Sequence, residues 1–194
     1  MKVLVTGASG FIGWPVVQSL LRKGHEVLGL CRKAPMETQT GDINWLHADL
    51  IDILDYRDAV QFFAPEVVVH LAWQGIPDYS FGNSRSNLEL SLDLLSILIC
   101  QKSCRKILVA GSCWELNRTK GKCLETDIGT TKDDFTWAKH SLRSWLELEC
   151  RKNGICLGWM RIFYAYGPRQ RSDSLVPHIL NNLIAGGVPH LNNP

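Results

Sequence analysis

Residues 2–13, KVLVTGASGFIG, restrict the possible folds of this chain more than any other stretch. Lys2 to Thr6 is a short apolar run rich in β-branched residues, and Gly7, Gly10 and Gly13 follow it at every third position before a helical pattern resumes. A strand that passes through a glycine turn into a helix is the expected local structure. Such a turn aims unpaired N–H groups and the positive end of a helix dipole at one point, and glycine lets the backbone approach closely. The stretch therefore predicts an anion site suited to the pyrophosphate of a dinucleotide. The spacing is GxxGxxG rather than GxGxxG, and a glycine triplet is also compatible with a tight turn alone.

The composition is that of a globular protein. With 45% hydrophobic and 21% charged residues, 194 residues suffice for one sizeable core. A net charge of +2, scattered along the chain, gives no electrostatic case for nucleic acid. No apolar run reaches membrane-spanning length and Met1 leads straight into the first strand, so no signal or membrane span is expected and the chain is expected to be cytoplasmic. Cys31, Cys100, Cys104, Cys113, Cys123, Cys150 and Cys156 show no paired CxxC spacing. Buried free thiols are expected, rather than a metal site or a disulfide framework.

Strand and helix patterns alternate along the chain. Strands are predicted at 2–6, 26–31, 44–48, 66–71, 106–110 and 155–163. Helices are predicted at 15–22, 52–63, from Asn87 through Leu98, at 136–150 and at 174–185. The alternation predicts an α/β fold, a doubly wound parallel sheet of Rossmann type over residues 1–165, with 166–194 as the start of a further portion. Residues 74–85, polar and without periodicity, read as a loop over the crevice at the sheet's carboxyl edge. Arg32 and Lys33 follow the second strand, where a dinucleotide fold reads the adenosine ribose. Two cations there suit a 2′-phosphate and favour NADP(H) over NAD(H); a solvated loop is the alternative.

The glycine turn is led by Thr6 and ends in Phe11, Ile12 and Gly13, so it resembles the TGxxGFIG signature of the extended short-chain dehydrogenases, the NAD(P)-dependent epimerase/dehydratase family. The resemblance implies cofactor contacts from Gly7, Ser9, Gly10, Phe11, Ile12 and Gly13. It places Asp49 and Leu50 against the adenine, and Leu71, Ala72 and Trp73 of the HLAW stretch beneath the dinucleotide. Asn87 matches a family asparagine, with a helix-start residue as the alternative, and His70 reads as a satisfied core histidine. The GSCWE stretch places Ser112 where the family orients a sugar oxygen, and the HLAW and GSCWE stretches look most like nucleotide-sugar 4-reductases and epimerases. Glu125, Thr126 and Asp127 resemble a loop that leads to the catalytic helix.

Two departures qualify the implied activity. The family's YxxxK motif stands here as Phe135-Thr136-Trp137-Ala138-Lys139, so Lys139 is kept to hold the ribose and supply a positive field while the proton-carrying phenol is replaced by Phe135. Loss of a positioned acid/base typically costs about 10²- to 10⁴-fold in rate. Relatives also continue further, with a last strand and most of a substrate domain. The implied function is hydride transfer at the 4-position of a nucleotide-sugar, with activity impaired; the alternative is a catalytically silent NADP(H)-binding protein that acts by association with another chain. A homodimer through the two long helices is also implied.

Overall fold

The computed structural model describes residues 1–33, 43–116 and 121–189. Six strands, β1 (Lys2–Thr6), β2 (Glu26–Cys31), β3 (Ile43–His47), β4 (Val67–His70), β5 (Lys106–Ser112) and β6 (Cys156–Ile162), form one parallel sheet in the order β3-β2-β1-β4-β5-β6. The helices are α1 (Gly13–Arg22), α2 (Ile53–Phe63), α3 (Phe81–Ile99), α4 (Asp134–Asn153) and α5 (Leu175–Ile184). The predicted doubly wound α/β fold is the one observed.

Alternate side chains of each strand enter two separate cores, as a parallel sheet covered on both faces requires. Leu4, Leu28, Val68, Ile107 and Val109 pack with Tyr56 and Val60 of α2, Leu94, Leu95 and Leu98 of α3, and Leu142 and Leu146 of α4. Val3, Val5, Val27 and Val69 form the other core with Val17 of α1. Burying a Leu or Val completely stabilises by about 1.5–3 kcal/mol, so these two layers fix where the strand ends lie. The chain divides into a unit from Met1 to Phe163, which holds the whole sheet, and a second unit that begins at Tyr164 and carries α5.

One helix starts earlier than its pattern indicates. Asn87 lies inside α3, which begins at Phe81 behind the N-cap Ser80, whose side chain accepts the Asn83 N–H. Before Leu88 the buried positions of this helix are Ser84 and Asn87, and Ser91 follows, all polar, so no apolar period marks its start. Their polarity is explained by what they hold, the strand ends and the loop described below. α4 is fixed at both ends by a capping box of Asp133 and Thr136 and by Gly154 in the left-handed region at φ 67°. Ser112 is the last residue of β5, opposite Ile162, rather than a residue of the following turn.

Candidate active site

The sheet changes direction of winding between β1 and β4, and the crevice outside their carboxyl ends is where open α/β sheets bind ligands. Thr6 and His70 end these strands side by side. The Thr6 hydroxyl oxygen accepts the N–H groups of Leu71 and Ala72, both at 3.2 Å, and its proton goes to His70 Nδ1 at 2.8 Å. His70 Nε2 donates to Ser91 Oγ at 3.0 Å, and Ser91 donates to the Asn87 carbonyl at 2.7 Å. Every proton in this chain has one direction, and it makes His70 neutral with Nε2 protonated. Burial, reinforced by the Lys139 charge, pushes His70 down to about 3. His70 is therefore a structural histidine that fastens β1 and β4 to α3.

A cavity of about 590 Å³ opens at this edge. Its walls are Gly7, Ser9 and Gly10 of the turn, Leu30 to Lys33 at the end of β2, Ala48 to Leu50 after β3, and Leu71 to Gln74 after β4. That volume lies in the range of cofactor sites. Gly7 has φ +65°, and a Cβ there would lie 3.0 Å from the Ala72 N, so this position needs glycine both for its conformation and for the approach of two strand ends. A Cβ at Gly13 would overlap the Gly7 carbonyl, so the turn itself closes only on glycine. The N-cap of α1 is Ile12, with no side-chain cap and no acidic residue in the first turn, so no negative side chain of the helix competes with an anion at its positive end. These features fit a dinucleotide pyrophosphate.

Asp49 organises the wall beyond β3. Its Oδ1 accepts the Gln74 Nε2–H at 2.6 Å and the Ile51 N–H at 3.3 Å, and its Oδ2 lies 4.0 Å from Arg32 Nη1. Arg32 is 67% exposed and Asp49 27%, so their attraction is screened and holds little energy, and the guanidinium keeps access to a ligand.

At the other wall, Trp73 is shared by the cavity and an aromatic cluster. Its ring is 5.5 Å from Phe135, which also meets Tyr79 at 5.2 Å and Trp114 at 6.1 Å. Lys139 lies beneath them, 5% exposed, with its Nζ 3.6 Å from the Trp73 ring centroid and donating to the Ala110 carbonyl at 2.8 Å. Burial pushes its pKa from 10.5 down to about 7, against the opposing pull of the Glu115 carboxylate. Ser112 is held from two sides: its N–H donates to Glu115 Oε1 at 2.6 Å and its Oγ accepts the Trp114 N–H at 3.2 Å. Glu115 is fully buried, accepts the Trp159 Nε1–H at 2.9 Å through Oε2, and faces Arg161 Nε at 3.8 Å.

Of the residues singled out from sequence, Gly7, Ser9, Gly10, Arg32, Asp49, Leu50, Leu71, Ala72 and Trp73 line the cavity. Phe11, Ile12, Gly13, Asn87 and Lys139 do not; Gly13 starts α1, and Asn87 holds the loop at Gln74. Ser112, Phe135 and Lys139 gather with the aromatic cluster around Trp73 and Trp114. Gln74 and Glu115 were not foreseen. Gln74 adjoins the HLAW stretch and Glu115 ends GSCWE, but their roles depend on partners from distant strands. Among the described residues no group of His, Cys, Asp or Glu is arranged to hold a metal ion, and no helix is long and apolar enough to cross a membrane.

The family model described as NAD dependent epimerase/dehydratase family matches residues 3–192. Among characterised relatives, the dTDP-6-deoxy-L-talose 4-dehydrogenase (NAD(+)) of Aggregatibacter actinomycetemcomitans is 24% identical over 183 residues, 93% of this chain and 67% of its own. Protein CapI of Staphylococcus aureus is 26% identical over 190 residues, 89% of this chain and 57% of its own. The UDP-glucose 4-epimerase of Thermus thermophilus, solved with NAD, superposes with a TM-score of 0.79 at 25% identity, covering 96% of this chain and 64% of that one. The UDP-glucuronic acid 4-epimerase of Bacillus cereus, solved with UDP-glucuronic acid and NAD, gives 0.81 at 22% identity over 96% and 64%, a likeness of fold. The chain thus spans about two thirds or less of the length of these relatives.

Proposed function

The chain belongs to the NAD dependent epimerase/dehydratase family, and from that premise we propose that it is a nucleotide-sugar oxidoreductase or epimerase acting by hydride transfer at the sugar 4-position. The observation that carries this reading is the cavity of about 590 Å³ at the β1/β4 switch, walled by the glycine turn on one side and Trp73 on the other. Gly7, Ser9 and Gly10 would hold the pyrophosphate, Asp49 and Leu50 the adenine, and Arg32 with Lys33 the ribose end. A nicotinamide held there supplies or accepts the hydride. Ser112, its oxygen fixed by the Trp114 N–H, orients the sugar oxygen, and Lys139 contributes a positive field from below. The aromatic wall excludes water from that end.

The exposed guanidinium of Arg32 and the adjacent Lys33, both on the cavity wall, support NADP(H) as the preferred cofactor. Titrating the 194-residue protein with NADPH and NADH by tryptophan quenching tests both points, because Trp73 lines the cavity. NADPH is expected to bind with a roughly micromolar Kd, and Arg32→Ala to weaken NADPH more than NADH. Equal weakening counts against the 2′-phosphate contact, and no binding of either cofactor removes the reading altogether.

Phe135 favours a second reading, a catalytically silent NADP(H)-binding protein acting by association with a further chain, a second copy through α3 and α4 included. Cofactor binding with no turnover of any nucleotide-sugar, in the wild type and in Phe135→Tyr alike, would select it.

A further inference from the structure

Interconverting a sugar hydroxyl and a carbonyl requires a proton at the reacting oxygen, and the Phe135 ring has none to give. We infer that Tyr79 is the catalytic acid and base of this site: its phenol, packed on Phe135 and Trp114, moves the proton at the sugar oxygen. The inference rests on the oxidoreductase reading above.

The chain has four tyrosines. Tyr56 is fully buried and donates to the Leu50 carbonyl at 3.1 Å, and Tyr164 and Tyr166 belong to the second unit. Tyr79 is half-buried, with its ring centroid 5.2 Å from Phe135 in an edge contact and 4.9 Å from Trp114. Trp114 in turn donates its backbone N–H to Ser112 Oγ at 3.2 Å, so the residue whose ring carries Tyr79 also fixes, through its main chain, the sugar-orienting serine. Among the described residues the Tyr79 hydroxyl has no hydrogen-bond partner, so it is open to solvent or a ligand.

A proton carrier must also be held in place. The Tyr79 segment is fastened at several points: Asn87 Oδ1 accepts the Gln74 N–H at 2.6 Å, and Asn83 Nδ2 donates to the carbonyls of Gln74 and Asp78 at 3.0 and 2.6 Å. Asp78 Oδ1 accepts the Ser80 N–H at 2.9 Å, and Ser84 Oγ donates to the carbonyl of Tyr79 itself at 3.4 Å. These bonds tie a polar, irregular segment to the first turns of a long helix. Lys139 Nζ lies 5.8 Å from the ring of Phe135, on which Tyr79 packs.

The step balances simply. As a 4-keto carbon takes a hydride from reduced nicotinamide, the C=O π pair forms an O–H bond with the Tyr79 proton. The Oη–H bond breaks, and the phenolate left behind is reprotonated from water. In the oxidative direction the phenolate receives the proton of the 4-hydroxyl.

The test compares wild type, Tyr79→Phe, Phe135→Tyr and the double variant in the 194-residue chain. Turnover is followed as NADPH oxidation with dTDP-4-keto-6-deoxyglucose and its UDP counterpart. Tyr79→Phe is expected to lower turnover by about 10²-fold or more, and adding Phe135→Tyr to restore it, with NADPH affinity and melting temperature unchanged throughout. A binding readout stands beside the rates: with NADP⁺ present, Tyr79→Phe should weaken UDP-glucose by about 2- to 10-fold and leave UDP unaffected. Equal turnover in wild type and Tyr79→Phe overturns the inference, as does equal weakening of UDP and UDP-glucose. A wild type that neither binds a sugar nucleotide nor turns one over also overturns it. In that case turnover by Phe135→Tyr preserves the oxidoreductase reading without Tyr79, and inactivity of both removes the two together.

Discussion

Lys139→Met should remove one pH-dependent contribution to stability. Burial moves the Lys139 ammonium from 10.5 to about 7, with the Glu115 carboxylate pulling the other way. Below about pH 7 folded and unfolded chains both hold the proton, and the folded state bears the full cost of a desolvated charge. Between about 7 and 10.5 the unfolded chain binds one more proton than the folded one, so stability rises with pH by up to about 1.4 kcal/mol per unit. From about pH 7, where the folded group is half-titrated, to about pH 8.5 that amounts to roughly 1.6 kcal/mol. Methionine has a similar length and takes no proton, so the free energy of the variant relative to wild type should fall by about this much over the interval. Losing the bond to the Ala110 carbonyl adds a cost that does not change with pH. The slope of the difference is therefore diagnostic and its offset is not. Urea unfolding of both proteins at four pH values, without cofactor, gives the difference directly, and groups that titrate alike in the two proteins cancel. A difference that stays level, or that grows in favour of methionine with pH, refutes the desolvated ammonium.

Two glycines of the turn should separate stability from binding. Gly13→Ala forces a Cβ onto the Gly7 carbonyl and should cost about 1–3 kcal/mol or more in thermal unfolding, with loss of NADPH binding as a consequence. Gly10→Ala places its Cβ 3.1 Å from the Gly7 oxygen at the cavity wall, so NADPH affinity should fall with the melting temperature nearly kept; equal damage by both refutes the distinction. Asn87→Ala removes the acceptor of the Gln74 N–H and the donor to the Gln74 and Asn83 carbonyls, and should cost about 1–3 kcal/mol. Hydrogen exchange should then speed up across residues 74–80 ahead of the strands, and unchanged exchange there would show that the loop is held by other means.

Much of the fold could be read from local pattern because its elements are locally determined. The six strands are short β-branched or apolar runs, and each of the three glycines at residues 7–13 has a backbone reason that sequence spacing already expresses. The start of α3 was hidden because the residues it buries ahead of Leu88 are Ser84 and Asn87, which with Ser91 form a polar stripe that bonds the loop and His70. A hydrophobic period cannot signal a helix whose buried side is hydrogen-bonded.

The surroundings of Ser112 were hidden for a different reason, which Gly111 makes plain. In the sheet Gly111 lies opposite Arg161 and one pair beyond it Ser112 lies opposite Ile162, so the end of β5 faces the charged residue of β6. Glu115, three residues on and carried by a 3-10 turn, reaches back to accept the Ser112 N–H. The Trp159 indole comes from β6 to donate to the same carboxylate. The two side chains meet over Gly111, where a Cβ would overlap the indole nitrogen and lie 2.7 Å from Glu115 Oε1. The glycine of GSCWE is thus the space that lets one carboxylate hold a serine amide, an indole and, at 3.8 Å, a guanidinium. In the sequence Gly111 and Ser112 look like turn residues because the partners that need that space arrive 44 and 46 positions after Glu115 and only the strand register brings them together. The same buried carboxylate also pulls Lys139 toward its charged form against burial, so one side chain ties the end of β5, the indole and guanidinium of β6 and the lysine of α4 into a single arrangement.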